Sequence, residues 1–136
     1  MSRKQLIAFL EADDGSGMVE FALVAVFLMA LLFGIIEFGL AAWEKNAAAS
    51  AAREGARYAI VRGSKSVRIA TPESVTNHVK SRTALDTAAL AVYTSWNPNN
   101  KPGSVVTVSV AHFVPRRGPF IAAHRDSVTS KMHIYP

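Results

Sequence analysis

Cysteine is absent from the 136 residues, which excludes disulfide bridges, thiolate nucleophiles and the most diagnostic zinc ligands. The four histidines, His78, His112, His124 and His133, share no short metal-ligand spacing, and no carboxylate recurs beside them in a catalytic pattern. Gly15-Ser16-Gly17 lacks the strand-turn-helix setting of a nucleophile elbow and matches no phosphate loop. The expectation is a chain that is not an enzyme and needs neither cofactor nor metal. Charge is missing from one further place. From Phe21 to Ile36 the sequence holds neither a charged residue nor a proline, and Glu37 is the only charge before Glu44.

The length leaves room for about one domain. Half of the residues are hydrophobic, but they concentrate between Phe21 and Trp43, and that unevenness points to a membrane segment. A helix needs about 20 apolar residues to cross roughly 30 Å of hydrocarbon. Residues 18–43 are long enough if Glu37 sits near an interface, and Trp43 suits an interfacial belt. A cleavable secretory signal would have a shorter apolar core followed by a small-x-small junction. Here the apolar run continues into alanine-rich helix, so cleavage after it is the poorer reading.

Net charge is +5 overall, yet thirteen Lys/Arg face five Asp/Glu from Glu44 onward, giving that portion +8. Such a surface attracts anionic lipid headgroups, acidic partners or nucleic acid without choosing among them. Arg116-Arg117, between Pro115 and Pro119 and close to Phe113 and Phe120, is the candidate anion-binding loop. A solvated loop with two anchoring aromatics is the plainer explanation.

The helix is expected to run to about Val61 and stop near Arg62-Gly63-Ser64. Ala47, Ala51, Gly55 and Ala59 recur every four residues, forming a helix-packing face where another backbone could approach closely. Glu54 and Arg57 read as part of a solvated face. Thr71-Pro72-Glu73 is an N-cap, a first-turn proline and an acid that complements the helix dipole. A second, amphipathic helix should follow and bury Val75, Val79, Leu85, Ala89 and Val92, with the turn signal Asn97–Gly103 ending it. Beyond that break the period becomes two. Ser104–Val114 and Ser127–Tyr135 read as strands, an antiparallel pair or small sheet packed on the long helix. The fold class is therefore α+β, a long N-terminal helix feeding a small domain.

The most informative stretch is Gly15-Ser16-Gly17-Met18-Val19-Glu20-Phe21-Ala22-Leu23-Val24, which sets a carboxylate at the edge of an apolar helix. An unpaired charge at the bilayer centre costs about 2.5–3.5 kcal/mol on insertion scales, so Glu20 calls for a partner or for water. If a peptidase cut after Gly15, the chain would begin at Ser16 with Glu20 as its fifth residue. The new α-amino group of one subunit could then pair with Glu20 of the next, setting register more than adding stability. Cleavage after Gly17 is a rival that leaves Glu20 third. Without cleavage, Glu20 is the interfacial end of an ordinary signal anchor.

At this point the sequence resembles the TadE-like family, the minor pilins or pseudopilins of tight-adherence pili in the type IV pilus class. The resemblance lies in Val19–Val24, in Leu31-Leu32-Phe33-Gly34-Ile35-Ile36-Glu37-Phe38-Gly39, in the alanine-rich Ala49–Arg57, and loosely in Ser127–Met132. It implies a prepilin-type leader over 1–15, cut by a prepilin peptidase on the cytoplasmic side between Gly15 and Ser16. It also implies a transmembrane and assembly helix over 16–43, with Glu20 and Phe21 governing assembly, and an extracytoplasmic pilin-like domain over 44–136. Implied partners are the major pilin, other minor pilins and the assembly platform of the inner membrane, in a fibre that supports adhesion. Many relatives carry a proline where this chain has Val26, so the early helix should be straighter here. Only Arg3 and Lys4 supply positive charge to the leader, although long translocated domains are largely exempt from the positive-inside rule. The alternative function is an unprocessed single-pass protein whose basic domain binds nucleic acid or another anionic ligand.

Overall fold

Sixteen uncharged residues followed by an alanine-rich stretch form one helix in the computed structural model, which describes residues 14–64 and 66–135. Helix α1, Asp14–Val61, is 48 residues long and so rises about 72 Å. The leader expected over 1–15 lies, except for its last two residues, outside the described residues. The chain divides into two units, Met1–Ile36 and Glu37–Pro136, the boundary falling inside α1.

In the first unit the helix is exposed among the described residues. Met18, Phe21, Leu23, Val26 and Phe27 are each at least 70% exposed, a surface that in water would be unstable and in hydrocarbon is at home. The most apolar 18-residue window of the helix has a mean hydropathy of 2.7, enough by length and composition to cross a membrane.

In the second unit the same helix changes partners. Ala48, Ala51, Ala52, Ala56 and Ala59 are buried, and their spacing of three and four keeps them on one face. Val75 and Val79 of α2, Pro72–Arg82, and Val106, Val108 and Val110 of the sheet complete the core. Small side chains on α1 let these valines approach its backbone. The chain leaves α1 through Arg62, whose guanidinium lies 4.0 Å from the centre of the Tyr58 ring. Ala70 then donates to the Arg62 carbonyl at 2.8 Å. Helix α2 starts as expected at Thr71, with Pro72 in its first turn, and Ser74 completes a reciprocal capping box.

The expected length of α2 is corrected. It ends at Arg82, with Thr83 as its cap. Leu85 is buried in the connection that follows, and Ala89 only half so. Val92 belongs to a strand, β1, Leu90–Asn97, followed by β2, Val105–Val114, and β3, His124–His133. The three form an antiparallel sheet in the order β1-β2-β3. Asn97–Gly103 therefore turns one strand into the next instead of ending a helix. Gly103, at φ +89°, needs its freedom there, and its N–H donates to Ile134 at 2.8 Å. The central strand presents alternate residues, Val106, Val108, Val110, His112 and Val114, to the buried side.

Candidate assembly site

Two acids bracket the uncharged run, and the fold treats them oppositely. Glu20 and Glu37 are 17 residues apart, about 25 Å of helical rise. Glu37 is buried, and its carboxylate accepts the backbone N–H groups of Phe120 at 3.0 Å and Ile121 at 2.9 Å. Gly118 lies so close that a Cβ there would stand 2.7 Å from the Glu37 carboxyl carbon. Two turns further on, Glu44 is 2% exposed and is ion-paired with Arg117. Helix residues 37 and 44 share a face, and through them α1 grips the Pro-flanked loop between β2 and β3. A buried carboxylate is tolerated only with such donors, because desolvation disfavours an unpaired charge.

Glu20, in contrast, is exposed, and among the described residues it has no hydrogen-bond or ion-pair partner. Phe21 beside it is 73% exposed. Gly15 and Ser16 lie in the opening turn of α1, exposed, and a Cβ added at Gly15 or Gly17 would meet nothing within 4 Å. Gly15, Ser16, Glu20 and Phe21 thus fall on one short, unencumbered stretch of helix. No backbone break or proline bends it at Val26, which is exposed within α1.

The four-residue face sits elsewhere, within the domain. Ala51, Gly55 and Ala59 are buried and Ala47 is half-buried against the core. A Cβ at Gly55 would stand 2.7 Å from Val79 Cγ2 and 3.1 Å from Val108 Cγ1. The close approach foreseen there is made by the chain's own α2 and sheet, so this face is not open to a neighbouring helix.

The Arg116-Arg117 loop is also altered. Arg117 is committed to Glu44, and Arg116 Nε donates to the Gly118 carbonyl at 3.2 Å. The internal acid was missed because its partner is 73 residues distant in sequence. Glu54, read as solvated, is half-buried with Oε1 3.2 Å from His78 Nε2, and the His78 ring stacks on Tyr58 with centroids 4.2 Å apart. Among the described residues no cluster of His, Asp or Glu could hold a metal.

A long apolar helix with a carboxylate near its start is the part of the chain that known families recognise. No curated protein and no solved structure matches the chain. Residues 15–57, the apolar run and the first alanine turns together, match the family model described as TadE-like protein, and over this stretch the chain is similar to that family.

Proposed function

We propose that the protein is a minor pilin-like structural subunit of a tight-adherence pilus. It is anchored in the inner membrane by residues 16–43, with residues 44–136 as its domain outside the cytoplasm. A prepilin peptidase removes 1–15 by cutting between Gly15 and Ser16. The trimmed chain then joins the major pilin and other minor pilins at the assembly platform, supporting pilus formation and adhesion. The observation that carries this reading is the TadE-like match over residues 15–57, which opens at the proposed junction.

Physical chemistry supports each step. The Gly15-Ser16 bond lies among the first described residues of α1, and both nearby glycines disfavour helix, so local unwinding at a peptidase is cheap. Among the described residues Glu20 is an acid without a partner at the edge of an apolar run, whereas Glu37 at the other edge is satisfied by its own loop. In this reading the complement of Glu20 is the α-amino group that cleavage makes on a neighbouring copy. Helix packing through residues 18–36 supplies the attraction between subunits, and the Glu20 pair selects their axial register.

Glu20→Ala tests the reading. Membrane insertion should be unchanged while recovery of the subunit in sheared fibres falls by about tenfold or more, the effect of losing roughly 1.4 kcal/mol at each contact. Incorporation equal to the unmodified chain would refute the register role.

A further inference from the structure

The exposed groups around the Glu37 clasp share a chemistry that pilus assembly does not use. Phe120 keeps 56% of its surface exposed although its own N–H is fixed on Glu37. Trp43 and Phe113, also about half exposed, line one cleft of about 350 Å³ with Arg117. Arg116 follows two residues after β2, and Arg125 stands opposite Phe113 in the β2–β3 register, both exposed. The nearby acids are engaged: Glu37 by backbone N–H groups, Glu44 by Arg117, Asp126 by the Ser127 N–H, and Asp86, which lines the same cleft, by the Ala88 N–H. The surface left over is aromatic and cationic.

Its place along the chain says what it meets. Glu37 directly follows Ile36, the last residue of the uncharged run. Met18–Ile36 rises about 28 Å, close to the roughly 30 Å of a hydrocarbon core. Glu37 is the residue at which a span ending at Ile36 leaves hydrocarbon, and the loop's backbone is bonded to it. Aromatic side chains favour that zone, and guanidinium groups there meet lipid phosphates.

We infer that this end of the domain is a bilayer-contact surface. Phe120, Trp43 and Phe113 sit among the headgroups, and Arg116 and Arg125 bind the phosphates of anionic phospholipid. The inference rests on the membrane-spanning part of the proposed function and not on processing or fibre assembly. It gives the Pro-flanked loop a second task. The loop holds the domain against the membrane, and the Glu37 and Glu44 bonds fix its depth.

The absence of cysteine makes the test direct. The full chain, carrying one spin label at Phe27→Cys, Phe120→Cys or Val67→Cys, is reconstituted in vesicles of phosphatidylcholine alone or with phosphatidylglycerol at about 7:3, a composition chosen for its negative surface potential. Collision with oxygen and with an aqueous nickel chelate gives the depth of each label. The label at 27 should lie in hydrocarbon, that at 120 among the headgroups, and that at the fully exposed position 67 in water. A label at 120 as accessible to nickel as that at 67, with 27 still in hydrocarbon, would overturn the inference alone. A label at 27 in water would overturn the span and the inference with it. Adding Arg116→Gln and Arg125→Gln should raise nickel access at 120 about twofold in the anionic vesicles and leave it unchanged in phosphatidylcholine. No change in the anionic vesicles would refute the phosphate contacts.

Discussion

Gly55 is where a single hydrogen atom decides whether the domain can close on its helix. Replacing it by alanine improves helix propensity by about 1 kcal/mol. The new methyl group, however, would meet Val79 and Val108, both fully buried and β-branched, so neither can readily swing away. Overpacking of this kind costs about 1–3 kcal/mol, which outweighs the propensity gain. Gly55→Ala should therefore lower the thermal midpoint of the detergent-extracted protein. Gly39→Ala, where a Cβ meets nothing within 4 Å, should leave it unchanged or slightly raised. Equal midpoints for the two variants would show that the close approach is absent. The sequence marked Gly55 as small but could not say what would press on it. Periodicity identifies a face, and the occupant of that face comes from residues 24 and 53 positions away.

At the scale of elements, α1 and the two later strands were legible and β1 was not. The uncharged run, the proline-free alanine segment and Arg62-Gly63 delimit α1 by local chemistry alone, as Thr71-Pro72 does for the start of α2. Leu85, Ala89 and Val92 are spaced by four and three, the signature of a helix, so they extend α2 falsely on paper. The competing signal was present: Leu90, Val92, Thr94 and Trp96 alternate, and Val92-Tyr93-Thr94 is β-prone. Pairing with the valines of β2 decided between the periods, and pairing is a tertiary fact. The clasp between α1 and the β2–β3 loop was illegible for the same reason, since Glu37 and its donors are 83 and 84 residues apart. Glu37→Ala leaves two backbone N–H groups without their acceptor. Amide exchange at Phe120 and Ile121 should quicken by at least tenfold, corresponding to about 1.4 kcal/mol, while exchange at Val106–Val110 stays unchanged. Unaltered exchange at Phe120 and Ile121 would contradict the bonds.

For the whole molecule, one helix serves two environments. Its first half is clothed in large apolar side chains that no described residue buries; its second half is alanine-faced and carries the domain's core. In the proposed function, that division lets a subunit exchange lipid for neighbouring helices around residues 18–36 without disturbing the fold beyond Glu37. The long apolar helix feeding a small α+β domain was readable from composition and periodicity. Whether the leader is removed is a matter of recognition by another protein. The central claim is that the working protein begins at Ser16. Its most direct test is the intact mass of the chain extracted from membranes of peptidase-competent cells, measured beside a Gly15→Ala variant. The account predicts that the native chain lacks its first fifteen residues and that the variant retains them. A native chain that still carries residues 1–15 would contradict it, as would a variant trimmed at the same bond.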